Sequence, residues 1–132
     1  MRGAIERRQE RRIRQQIAEA RGRRSEILAA VWLTLKLYRV LGRRVKTRLG
    51  ELDLVALSPA GTLCFVEVKA LAGVETAAEA VTFRQRARIA RAAALYLGAR
   101  PKLRHKAVRF DAILVVPRRW PRHLKDAWRH DS

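Results

Sequence analysis

The most regular alternation of apolar and polar positions lies in residues 50–69, GELDLVALSPAGTLCFVEVK, where two apolar runs flank Ser58-Pro59-Ala60-Gly61. Ser first, Pro second and Gly fourth are the preferences of a type I turn, and Gly61 can take the left-handed conformation of a three-residue hairpin loop. Ser58 then pairs with Thr62. Counting outward, Leu57 faces Leu63, Val55 faces Phe65, Asp53 faces Glu67 and Glu51 faces Lys69, all on one side of the ribbon because side chains alternate with period two. The other side, Leu52, Leu54, Ala56, Cys64, Val66 and Val68, is wholly apolar. A ribbon apolar on both faces except at one end predicts a sheet covered by helices on each side.

Elsewhere the period changes. Ser25 is placed to cap a helix to about Leu41 whose sequence, EILAAVWLTLKLYRVL, is apolar nearly all round and therefore buried. Glu26 falls in its first turn, where a negative charge suits the helix dipole. Gly42 ends it, and Arg43 to Arg48 reads as a basic edge strand. Thr76 and Glu79 form a capping box for a second helix that runs to about Leu97 and is closed by Gly98. Its apolar stripe is Ala78, Val81, Ile89, Ala92 and Tyr96, with Gln85 the polar exception. Arg84, Arg88 and Arg91 share a neighbouring face at the spacing of a row that contacts phosphates, which is also the spacing of a merely solvated face. Val108 to Val116 is a strand containing Asp111 and ended by Pro117. Trp120 and Trp128, eight residues apart, predict a short C-terminal helix over the core. Aromatics among arginines also suit base stacking.

Residues 1–24 hold only Ile5, Ile13 and Ile17 as large apolar residues, too few to anchor a helix in a core. They form a basic arm, mobile or helical, ahead of a single domain at 25–132. Nucleic-acid binding and simple solvation both account for such an arm.

Charge sharpens the picture. The chain of 132 residues carries a formal +18 although 48% of it is hydrophobic. The arm supplies nine Arg against three Glu, or +6, so +12 belongs to the folded part. A core wrapped in so basic an exterior points to polyanions, nucleic acid before anionic membrane. The longest apolar run, Ile27 to Leu33, is far too short to span a bilayer, and the long basic stretch ahead of it does not suit a secretory signal. Cys64 is the single cysteine and sits on an apolar face, which fits a small core residue and a reducing cytoplasm. His105, His123 and His130 are scattered through basic sequence and form no zinc pattern.

The open end of the hairpin is the candidate chemistry. Two carboxylates directly opposite stand about 5 Å apart, and at an effective dielectric near 20 they repel by roughly 3 kcal/mol. Protonation, the Lys69 ammonium or a bound divalent cation each relieves this, and hard oxygen ligands suit Mg²⁺ or Mn²⁺. A cross-strand ion-pair network of Glu51, Asp53, Glu67 and Lys69 at a solvated strand end satisfies the same spacing.

The order helix, three strands, helix, strand, with D-x13-E-x-K across the hairpin, resembles the restriction-endonuclease-like fold of the PD-(D/E)xK nuclease superfamily. More narrowly, SEILAAVWL, GELDLVA, FVEVK, the Arg84-Gln85 helix ending in AALYL, RFDAILV and HLKDAW resemble the YraN-like family of small bacterial proteins. The resemblance covers about Arg24 to Trp128. It implies a three-layer α/β fold with a mixed central sheet and a metal-dependent nuclease acting on DNA, branched or damaged substrates included. In that frame Asp53 and Glu67 are metal ligands, joined by the carbonyl of Val68, and Lys69 is the motif lysine. Glu26 and Gln85 approach from the helices, and Glu51 steadies Lys69. Arg43, Arg44, Lys46, Arg48, Arg84, Arg88 and Arg91 would then meet nucleic acid. Nucleases of this fold often cut two strands with two subunits, so a homodimer is in keeping. Ala70-Leu71 replaces the usual Thr-Arg after the lysine, which leaves open a non-catalytic nucleic-acid-binding module of the same fold.

Overall fold

The computed structural model describes residues 2–71 and 81–129. Helix α1 (Arg2–Leu35) leads into strands β1 (Arg39–Thr47), β2 (Gly50–Leu57) and β3 (Leu63–Ala70). Helix α2 (Phe83–Gly98), a short 3-10 turn (Pro101–Leu103), β4 (Val108–Val115) and β5 (Arg122–Trp128) complete the chain. The strands form one sheet in the order β1-β2-β3-β4-β5, antiparallel except for the β3–β4 pair, which is parallel.

The hairpin closes as its turn residues require. Ser58 N–H donates to the Thr62 carbonyl and Gly61 N–H to the Ser58 carbonyl, each at 2.9 Å, and Gly61 takes a φ of 87°. Leu57 pairs with Leu63 and Val55 with Phe65. One face of the sheet packs Val55, Leu63, Phe65 and Ala112 against Ile89, Ala92 and Tyr96 of α2. The other packs Leu54, Ala56, Cys64, Val66 and Ile113 against Ala29 and Leu33 of α1. Helices therefore cover both faces, and Cys64 is a buried core thiol. Burial pushes that thiol up to about 11. The laddered β2–β3 pairs run as far as Leu54–Val66. Leu52, expected beside Leu54, instead joins the cluster on the α2 side, so β2 turns out of register at the hairpin's open end.

Several expectations are corrected. Ser25 is no cap: it is buried inside α1, which runs unbroken for 34 residues. That helix stops at Leu35 rather than near Leu41. Leu37 swings to a φ of 68°, and Tyr38 N–H returns to the Leu33 carbonyl. Residues 39–42 instead join the expected edge strand from Arg43 and pair with β2, because cross-strand hydrogen bonds along a sheet edge outweigh a weak helical propensity. Gly42 is not a helix stop but marks a register shift in β1. The Thr76–Glu79 box lies outside the described residues; α2 is capped by Thr82, whose hydroxyl accepts Gln85 N–H while the Gln85 side chain accepts Thr82 N–H. The C-terminal segment is a strand, not a helix. Leu124 and Trp128, four residues apart, share one face under either period, so spacing could not separate the two.

Candidate metal and nucleic-acid site

The turned end of β2 gathers acidic side chains from three elements. Glu51 and Asp53 come from β2, Glu67 and Lys69 from β3, and Glu26 from α1. Glu26, Glu51 and Asp53 each bring an oxygen within 4.8 Å of the other two. Asp53 Oδ2 accepts Val68 N–H at 2.9 Å, so the carboxylate takes the backbone donor on the neighbouring strand where the ladder has ended. Asp53 and Glu67 are hydrogen-bonded side chain to side chain. Lys69 Nζ lies 3.4 Å from Glu67 Oε1. Gly50, Glu51, Asp53 and Glu67 line a small cleft of about 230 Å³ with Arg88 and Ile89 of α2. Gly50, at a φ of 152°, lets α2 approach: a Cβ there would meet Arg88 Cγ at 2.9 Å.

Crowded acids raise one another's proton affinity. Burial, then the Asp53 charge, push Glu67 up to about 8 against the pull of Lys69. Asp53 is raised by burial, partly offset by the Val68 N–H. Glu26 is raised by burial and then by Asp53, with Arg44 opposing. Burial is the leading cause for all three, and Arg44 and Lys69 work against it. The cluster's donors are all oxygens held by strands and a helix, a set that fits a hard divalent ion.

The residues predicted for the site divide accordingly. Asp53, Glu67, Lys69, Glu26 and Glu51 converge. Glu51 does not hold Lys69; it faces Arg44, whose Nε lies 3.5 Å from both Glu26 and Glu51. Arg44, at a φ of 51° just past the β1 register shift, thus stands between these two acids. Val68 meets Asp53 through its N–H. Gln85 is engaged in the α2 cap. Among the predicted basic residues Arg88 reaches the cleft, while Arg43, Lys46, Arg48, Arg84 and Arg91 are exposed on β1, its turn and α2.

A second polar cluster was missed. Asp111 is fully buried in β4; Arg109 donates to both its oxygens, from Nε at 2.8 Å and Nη2 at 2.9 Å, His123 Nε2 bonds Oδ2 at 2.8 Å, and Asp126 N–H adds a fourth bond. Arg109 also donates to Tyr38 Oη, and Lys36 Nζ lies 2.7 Å from His123 Nδ1. Burial alone would raise Asp111, but these bonds outweigh it and bring the carboxyl down to about 2. His123 is therefore part of a buried network and not of the basic surface. The available signal was a lone Asp in an apolar strand, because a buried carboxylate needs partners.

Fold and site together define a class: a mixed sheet between helix layers, the restriction-endonuclease-like three-layer arrangement, with an acidic cluster and a lysine at the open end of its central hairpin. The chain belongs to the uncharacterised protein family UPF0102, whose profile matches residues 25–115. It is 48% identical over 123 residues to a UPF0102 protein of Caulobacter sp. (strain K31), covering 93% of this chain and 88% of that one. A UPF0102 protein of Parvibaculum lavamentivorans is 53% identical over 108 residues, 82% of this chain and 80% of the relative. One from Methylorubrum extorquens is 44% identical over 115 residues, 87% and 89% of the two chains. Among the described residues no helix is long and apolar enough to cross a membrane.

Proposed function

We propose that this protein is a divalent-metal-dependent nuclease of the PD-(D/E)xK type acting on DNA. The observation that carries the reading is the convergence of Glu26, Glu51, Asp53 and Glu67 beside Lys69, inside a chain of net charge +18. Four converging carboxyls offer hard oxygen ligands to a divalent ion beside Lys69, Arg44 and Arg88, and a basic exterior suits a polyanionic substrate.

Asp53 and Glu67 would hold Mg²⁺ or Mn²⁺, and Glu26 and Glu51, whose oxygens lie near Asp53, would be further ligands. When bound, such an ion polarises a phosphoryl oxygen and lowers the pKa of an attacking water. Glu67 exchanges its carboxyl proton near neutral pH, so it is available as a ligand or as a proton acceptor at Oε1 and Oε2. Lys69, only partly covered, can swing its ammonium from Glu67 to a phosphate oxygen and stabilise the charge that develops there. Arg88 lies at the cleft, and Arg43, Lys46, Arg48, Arg84 and Arg91 are free to follow flanking phosphates.

Two observations favour a second reading, a DNA-binding module that retains the fold without turnover. Gln85 is spent on the α2 cap, and Ala70-Leu71 offers no polar group beside Lys69. Calorimetric titration of Mn²⁺ and Mg²⁺ separates the two when run beside Asp53→Ala and Glu67→Ala, with labelled single-stranded, duplex and branched DNAs in the same buffers. The nuclease reading expects metal binding lost in both variants and metal-dependent cleavage of one substrate class. DNA binding that falls with salt, with no cleavage of any substrate, sinks the nuclease and leaves the module.

A further inference from the structure

Trp120 and Trp128 come from one short stretch, yet folding treats them oppositely. Trp128 is buried on Phe110, whereas Trp120 is 80% exposed and leans on Trp32 of α1, with 5.5 Å between ring centroids and 32° between planes. That contact leaves most of the Trp120 indole in water, where so large an apolar surface is unfavourable. The loop that presents it is stiff. Pro117 and Pro121 fix φ on either side of Arg118, Arg119 and Trp120, and Arg119 N–H closes a turn on the Val116 carbonyl at 3.3 Å. Arg118 takes a φ of 62° at the third position of that turn, where glycine is preferred. Arg118, Arg119 and Arg122 are exposed, and none forms an ion pair with a described residue.

Strand order sets where this loop stands. β3 and β4 are parallel with Ala70 beside Val115, and Leu71 N–H donates to the Val115 carbonyl at 2.9 Å. The β4–β5 loop therefore leaves the sheet at the end that carries Glu67 and Lys69. β5 is two strands from β3, about 10 Å across the sheet. Trp32 stands six residues beyond Glu26, about 9 Å along α1. A polynucleotide with one phosphate at the acids has the two indoles within reach of its next few nucleotides.

We propose that Trp120, backed by Trp32 and flanked in sequence by Arg118, Arg119 and Arg122, is a stacking platform for unpaired bases, so that the substrate class is DNA with a single-stranded segment beside the acidic site. Every unpaired base offers a flat face that an indole can cover and a phosphate that a guanidinium can meet, so one nucleotide satisfies both halves of the patch. Bases inside a duplex are already covered by their neighbours. The inference rests on reading the acidic end as a DNA site, and adds which DNA it takes: flaps, gaps and single strands ahead of continuous duplex.

Binding measured in chelator reads the platform whether or not the acidic site cleaves. Fluorescence anisotropy of a labelled oligothymidylate, and of the same strand annealed to its complement, is followed for the full chain at matched salt. Wild type should bind the single strand more tightly, and lose tryptophan emission as unlabelled strand is added. Trp120→Ala, at an exposed position, should weaken the single strand about tenfold, remove most of the quenching and lower duplex affinity much less, whereas Trp120→Phe should keep most of the affinity. Arg118→Gln with Arg119→Gln should flatten the salt dependence, which loss of the indole does not. Single-strand affinity unchanged in Trp120→Ala overturns the proposal. So does an equal loss for both DNAs, or a patch that takes up anionic vesicles and no oligonucleotide. Metal-dependent cleavage that persists alongside that unchanged affinity leaves the nuclease standing without its platform.

Discussion

Replacing Glu67 with glutamine removes one of two hydrogen-bonded carboxyls while keeping the side chain's size and its capacity to bond Asp53. In the folded protein Glu67 loses its proton only near pH 8, against 4.5 for the free group. Between those limits the folded state holds a proton that the unfolded chain has released. Stability must therefore fall as pH rises through this window, and it is unaffected by Glu67 below it. At about 1.4 kcal/mol per pH unit the full window bounds the loss at roughly 4 to 5 kcal/mol, and solvent at the lip of the site reduces it to about 3 kcal/mol. Urea unfolding in chelator, repeated across the window, measures it. Wild type should weaken by that amount from acid to alkaline pH, whereas Glu67→Gln should stay nearly level and be the more stable protein at the alkaline end. Mn²⁺ should restore wild type there and do much less for the variant, because a ligand that binds only the folded state stabilises it. Stability curves that run parallel in chelator would refute the account of a repelled carboxyl pair.

Other consequences follow from the packing. Asp111→Ala strands Arg109, His123 and the Asp126 N–H, and should cost about 3–5 kcal/mol in a denaturant melt. The lowered Asp111 proton affinity adds stability that is present above pH 3.8 and lost as pH falls towards about 2, so Asp111→Asn should flatten the acid limb of unfolding. Trp128 is buried on Phe110 and Trp120 is 80% exposed on Trp32, so Trp128→Ala should cost about 3–5 kcal/mol and Trp120→Ala under about 1 kcal/mol, as thermal melts can show. Gly50→Ala pushes against Arg88 at the cleft, and should weaken DNA binding more than Gly61→Asn, which meets nothing within 4 Å at the hairpin tip. Equal losses in a salt-matched binding assay would remove Arg88 from the interface.

What the amino-acid sequence determined by itself was local. Ser58-Pro59-Ala60-Gly61 dictates its turn through backbone preferences of four residues, and the turn sets the register as far as Leu54–Val66 with no knowledge of the rest of the chain; beyond it β2 turns, and Asp53 takes Val68 N–H. Period-two apolar runs called for helices on both faces, and α1 and α2 supply them. Tertiary structure decided the remainder. Arg43 onward was legible as an edge strand, whereas whether residues 39–42 and 122–128 became strands depended on open edges at β2 and β4, which lie outside either segment. Glu26 reaches the acids only because α1 packs across the sheet beside the turned end of β2, and Arg44 enters between Glu26 and Glu51 from β1. Lys36, Tyr38, Arg109, Asp111 and His123 form one network from three separated stretches of chain. Short-range sterics are written in neighbouring residues, whereas the pairing of a sheet edge or the satisfaction of a buried charge depends on partners that only folding brings within reach.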